Sequence, residues 1–519
     1  MALSNDFTTP KDIKKKRQFR YLLNYLGHFN VKTILIEERY ISRDFLHDYT
    51  AYYATCFEQY SKECKRVHLF AETVTEEALN VIVLSKDDAA KSSFWTKYLG
   101  NIVVKPIPLT VIGTTILKTY DLVGEFGSRD YWGLRDYSIH IFGTKVTLRS
   151  LAFQEQDRVL AACATTAIWS TLHKIFDDHQ TSVKSPSQIT RDAADTSFDG
   201  SRLFPNKGLT IQQICRAIER AGLVCEVTNN QKKTPTNTKS AVSNAVLKEL
   251  VRAYSPIAIP IILIIHVPHS ISGTNEALHA LTLQGHRFNE AGDPTNPDAF
   301  DLMSKNIERL YAHDDQFGPF VRIKFEEEDT IKTPWSEQNV AQESEPEKIE
   351  GDFVAEDTSL PAVVYVTDVI ISLYPKIRIS YFDIKELAVG LWGLLRNFSR
   401  DKYPTGIMTD LRLMFSEQYK EEVKSLPLYP EAIFDFLTKS LPKFVWVVSF
   451  YAGHHRLADF AFDATGVKSA VNGIQLFTFE EGMLEQFRKF IVENYELFSQ
   501  FYSGPNVERY HEWLVNATK

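Results

Sequence analysis

Apolar positions along the chain fall into two periods, one near 3.6 residues and one near 2, and the switches between them divide the sequence. Between 20 and 120, "DFLHDYTAYYATCFEQYSKEC" (44–64) reads as helical. It alternates with short apolar runs, "VKTILIEE" (31–38), "ALNVIVLS" (78–85) and "NIVVKPIPLTVIG" (101–113), punctuated by Pro106, Pro108 and Gly113. This α/β texture predicts a first unit over 1–137. From 138 the alternating run "SIHIFGTKVTLRSLAF" leads into an alanine-rich helix within "AFQEQDRVLAACATTAIWSTLHKIF" (152–176), followed by "SPSQITRDAA" (185–194).

In "GLTIQQICRAIERAG" (208–222), Thr210 is placed to cap a helix whose Ile211, Ile214, Ile218 and Ala221 share one face, and Gly222 stops it. Strand patterns follow: "IPIILIIH" (259–266), "ALHALTLQGHRF" (277–288) and "IERLYAHDDQFGPFVRIKF" (307–325), the last as two strands around a turn. Helices first and strands afterwards predict an α+β domain over 138–325. Residues 326–359 are acidic and poor in aliphatic side chains, which predicts a linker or surface insertion. Globular texture resumes over 360–519. There "AVVYVTDVIISLY" and "KFVWVVSFY" read as strands, and "DIKELAVGLWGLLRNF" and "EGMLEQFRKFIVENYELFSQFY" as amphipathic helices of a C-terminal α/β unit.

Composition narrows the function classes. With 44% hydrophobic residues and a net charge of −8, the chain gives no global electrostatic reason to bind nucleic acid or anionic lipid. The basic run "KDIKKKRQFR" (11–20) is read as a solvated arm or helix face. The longest apolar span, 257–267, is far short of the ~20 residues that cross a bilayer, so a cytoplasmic protein without a membrane segment is expected. Five cysteines without a CxxC pair signal neither a disulfide framework nor a zinc site.

One of those thiols raises a question of chemistry. Cys163 lies among small residues at the start of its helix, where the helix N-terminus and an open approach would favour a nucleophilic thiolate. Asp157 is a candidate cap for that helix. His279 sits on an apolar strand after the loop 268–276, with His266 on the preceding run as its rival. Asp314, or else Asp315, could orient the imidazole, and Gln156 or Gln154 could supply an amide to an oxyanion. Cys215 and Cys225 are expected as core thiols. The cluster of His454, His455, Arg456, Asp459 and Asp463 is read as a surface turn and strand rather than a metal site.

The order Gln, Cys, His, Asp, with the segments "EQDRVLAACATTAIWSTL", "SPSQIT", "GLTIQQICRAIERAGL", "HALTLQGH" and "AHDDQFGPF", resembles papain-like cysteine peptidases, in particular the bacterial branch related to double-glycine leader peptidases. The resemblance spans roughly 150–325. It implies a helix carrying Cys163 packed on an antiparallel sheet carrying His279 and Asp314, with Gln156 as oxyanion donor and no metal or organic cofactor. The implied activity is thiol acyl transfer, namely hydrolysis of a peptide or isopeptide bond in a protein or peptide partner. The flanking units would engage that partner, with the acidic segment as a lid. An inactive papain-like scaffold acting by protein–protein interaction, and a transglutaminase-like acyltransferase or deamidase, are the alternatives.

Overall fold

A computed structural model of the chain describes residues 3–124, 127–157, 159–160, 162–179, 183–194, 208–229, 232–234, 237–267, 277–289, 294, 296–336, 363–466, 472–480, 482–501 and 507–517. The fold is mixed α+β with predominantly antiparallel sheets. Two compact units are present, and neither is continuous in sequence. The first comprises 1–243, 259–287 and 309–372, and the second 244–258, 288–308 and 373–519.

These units cut across the boundaries expected from the sequence. Residues 1–137 share a unit with most of 138–325, because the central sheet recruits strands from far apart. Its main path runs Ile331–Lys332, Gly318–Phe325, Ile307–Asp314, Ala277–Phe288, Ile261–Val267, Tyr365–Leu373 and Val224–Asn229. Ile261–Val267 lies in the middle and is buried at every position, so its unbroken aliphatic run reads as a strand covered on both faces. Tyr365–Leu373, expected to open the C-terminal unit, instead pairs antiparallel with it in the register Leu263↔Val369. Helix Cys163–His179 lies against this sheet, where the Thr282 hydroxyl donates to the Ala167 carbonyl at 3.1 Å. Ala164 and Ala167 are both buried, small residues that let the helix approach closely.

A second, four-stranded antiparallel sheet in the same unit runs in chain order through Thr33–Tyr40, Cys64–Phe70, Tyr98–Val104 and Ile112–Leu117. The apolar run 78–85 is not a strand. It forms most of helix Glu76–Leu84, because the Thr75 hydroxyl accepts from the Ala78 N–H and caps the helix. Thr210 caps Ile211–Glu219 as expected, reciprocated by Gln213, and Gly222 follows at φ 88°.

The second unit is built on a sheet in the order Asp301–Leu302, Met408–Phe415, Phe444–Ala452, His455–Asp463 and Gly473–Thr478. Residues 244–258 belong here rather than with 138–325 because Arg252 forks onto Asp410 at 2.8 and 2.7 Å. Helix Tyr381–Ser399 and strand Phe444–Ala452 form where the sequence places them. Arg456 and Asp459, from the cluster read as a surface turn and strand, enter a charge network. Arg456 reaches both Asp459 and Glu422, and Glu422 is also gripped by Arg412 at 2.8 and 2.9 Å. Burial pushes the Glu422 carboxyl up, but the two guanidiniums override it and hold its pKa down at about 2. The stabilisation is therefore in place above the ordinary carboxylate pKa of ~4.3 and is lost as pH falls toward 2. In Glu422→Gln, melting of this unit should be lower at pH 6 and should lose part of the wild-type dependence on pH between 5 and 2, as read by circular dichroism.

Candidate functional site

The helix begins at Cys163 itself, with Ala162 accepting from the Thr166 N–H at 3.1 Å. Asp157 does not cap it. That carboxylate instead accepts from the Val159 and Leu160 N–H groups and from the Tyr53 hydroxyl, pinning the loop before the cysteine. Cys163 thus occupies the first helical position, with a half-buried side chain and a backbone N–H outside the helical ladder.

His279 stands opposite Ile265 on its strand and is 7% exposed. Its Nε2 lies 2.9 Å from Asp314 Oδ1 and 3.5 Å from Asp315 Oδ1. The Cys163 side chain neighbours the same imidazole and helps to raise its pKa. With Nε2 turned to the carboxylates, Nδ1 is the nitrogen left for the thiol. Burial disfavours charge on His279, but Asp314 and then Asp315 outweigh it, holding the imidazole pKa well above its ordinary value. The structure therefore brings Cys163, His279 and Asp314 together, and Asp315 with them. His266 is elsewhere, stacked on Tyr365 at 4.8 Å.

Asp314 is fixed by two further donors. The Gln316 N–H reaches Oδ1 at 2.9 Å, and the Trp335 indole N–H reaches Oδ2 at 2.9 Å. Trp335 also meets His279 edge to face at 5.2 Å. It comes from the segment read as an acidic linker, whose first residues fold back through the short strand Ile331–Lys332, while 337–359 lie outside the described residues. The only cue in the sequence was an aromatic side chain in an aliphatic-poor run.

The basic N-terminal run is likewise more than a solvated face. Lys16 pairs with Glu155. Arg17 lies over the Trp335 ring at 5.1 Å, Gln18 donates to the Asp315 carbonyl at 3.2 Å, and Tyr21 donates to the Pro319 carbonyl at 2.7 Å. Gly318 is required beneath Tyr21, since a Cβ there would come within 2.3 Å of the ring. Together these contacts brace the turn that carries Asp314.

The two glutamines separate. Gln154 is buried, its Nε2 has no hydrogen-bond partner, and it lines a cavity with Thr166, Ala280, Thr282 and Asp315. About 10 Å³ is open there to the centre of a water molecule, room for one water. Gln156 is half-buried. No described contact ties it to Cys163.

The other thiols differ from one another. Cys64 is buried, and burial pushes its pKa up to about 12. Cys215 and Cys225 are half-buried rather than core thiols; the Cys225 thiol donates to the Cys215 carbonyl at 3.9 Å, and the closeness of the two side chains lowers Cys215 and raises Cys225. Among the described residues, the one group of three or more side chains spaced to share a metal ion is His279, Asp314 and Asp315. His454, His455, Asp459 and Asp463 form no such group. No helix among the described residues is long and apolar enough to cross a membrane. No protein-family model matches the chain, and neither does any curated protein.

Proposed function

We propose that the chain is a papain-like cysteine peptidase whose nucleophile is Cys163. The observation that carries this reading is the continuous thiol–imidazole–carboxylate line, in which a side chain at a helix N-terminus meets a buried histidine that is hydrogen-bonded at 2.9 Å to Asp314. A charged imidazole beside a thiol favours the thiolate, and Asp314 fixes the ring and supports its charge. The Trp335 and Gln316 bonds to Asp314 keep the carboxylate aimed.

In the proposed reaction the Cys163 thiolate attacks an amide carbonyl carbon, forming a C–S bond. The carbonyl oxygen takes up negative charge, held by the Cys163 N–H and the Gln156 amide. His279 then gives its proton to the leaving amine as the C–N bond breaks, which leaves a thioester. Next, His279 takes a proton from water, whose oxygen attacks the thioester carbon as the C–S bond breaks, releasing a carboxylic acid and restoring the Cys163 thiolate beside the charged imidazole. The substrate class is a protein or peptide partner.

The test is incubation with a diverse peptide library, with mass spectrometry to find new termini and an added primary amine to compete with water. Hydrolysis products that vanish in Cys163→Ala are expected. Products carrying the added amine in preference to water would mark a transamidase instead, and turnover that survives Cys163→Ala would contradict the assignment.

A further inference from the structure

Asp315 supports the charge on His279 but transfers no proton in the acyl transfer proposed above; it is a buried carboxylate beside another, with its Oδ2 accepting from the Gln316 amide at 3.3 Å. Its Oδ1 accepts no hydrogen bond although it lies 3.5 Å from His279 Nε2. A buried carboxylate oxygen that no hydrogen bond reaches is costly to keep, and the imidazole at 3.5 Å leaves room for a closer partner. The ligand-capable atoms of His279, Asp314 and Asp315 all lie within 4.8 Å of one another. Around a tetrahedral ion bound at ~2.0–2.2 Å, neighbouring ligand atoms stand roughly 3.3 Å apart. The 2.9 and 3.5 Å from Nε2 to the two carboxylates bracket that spacing.

We propose that His279 Nε2, Asp314 Oδ1 and Asp315 Oδ1 form a binding site for a divalent transition-metal ion of the zinc class. One imidazole with two carboxylates suits zinc or cobalt better than the oxygen-only shells of magnesium or calcium. Two carboxylates and a neutral imidazole sum to −2, so a dication makes the cluster neutral. The fourth ligand would be a water, as at other zinc sites with three protein ligands. Trp335 keeps its bond to Asp314 Oδ2 and orients that ligand from behind. On binding, the metal–nitrogen bond forms, the Nε2–H bond breaks, and the proton leaves to solvent.

The remaining ring proton then sits on Nδ1, so His279 has no lone pair to accept a proton on the side of Cys163. The ion is accordingly an inhibitor of the thiol chemistry. That consequence rests on the proposed function, whereas the binding itself does not.

Cobalt(II) titration of the metal-stripped full chain tests both parts. One equivalent should bind with the visible absorption of a tetrahedral ion, in the unmodified protein and in Cys163→Ala alike, and at least about tenfold more weakly in Asp315→Asn. Zinc should displace it and slow the alkylation of Cys163. Absence of stoichiometric binding, binding indifferent to Asp315→Asn, or a sulfur-to-cobalt band lost in Cys163→Ala would overturn the site. Stoichiometric binding through Asp315 in a protein whose Cys163 reacts independently of His279 would uphold the site and refute the peptidase reading. Binding without any slowing of a His279-dependent Cys163 would refute the inhibition alone.

Discussion

Replacing His279 with alanine should slow alkylation of Cys163 at pH 6 by about a hundredfold. An unassisted thiol with a pKa near ~8.5 is only about 0.3% thiolate at that pH, so a partner that holds the thiolate raises the reactive fraction up to ~300-fold. The gain is tempered because a thiolate of lower basicity is intrinsically less nucleophilic. The imidazole proposed to confer this is held charged by Asp314 and Asp315 against its own burial. Asp314→Asn should fall between the two, since it keeps a hydrogen-bonding side chain near Nε2 while removing one of the two negative charges. Rates at Cys163 resolved by peptide mass spectrometry check both variants, with circular dichroism to show that they fold.

Asp410→Ala should destabilise the second unit by about 3–5 kcal/mol, the cost of breaking a buried pair and leaving its partners uncompensated. Asp410 is 2% exposed, takes both arms of Arg252, and receives Arg412 at 3.2 Å. Without it, two guanidiniums face each other with no carboxylate between them, although Arg412 retains Glu422. For a unit of this size the loss amounts to a drop in melting temperature on the order of 10 °C. An exposed control such as Lys489→Ala should change melting little, because its pair with Glu493 lies in solvent. A melting temperature unchanged in Asp410→Ala would mean that the network contributes no stability.

What the sequence reveals and conceals here follows from range. Helix Ile211–Glu219 was legible because its cap, face and stop all lie within a dozen residues. The pair Ile307–Asp314 and Gly318–Phe325 was legible for the same reason. Strand Tyr365–Leu373 was recognisable as a strand, but its partner Ile261–Val267 is about a hundred residues away, and no local pattern assigns pairing over that distance. The division into units failed with it, since 244–258 and 288–308 are placed by contacts such as Arg252 with Asp410. At the site, Cys163, His279 and Asp314 were identifiable by residue type and order. Trp335 and the N-terminal brace were not, because indole donation and cation–π contact have no sequence period. Gln154 and Gln156 are alike in sequence, and that the first is buried while the second is half-buried is visible only once the side chains are placed.

The most direct test of the central claim compares the five cysteines with themselves, alkylating each at pH 6 in the native chain and in the urea-unfolded chain. Folding should slow Cys64, which is buried and pushed up to about 12. It should also speed Cys215 modestly, because Cys225 lowers its pKa. Cys163 should gain the most, on the order of a hundredfold over its own unfolded rate. A Cys163 that reacts more slowly folded than unfolded would show a thiol buried for packing, and would contradict the account.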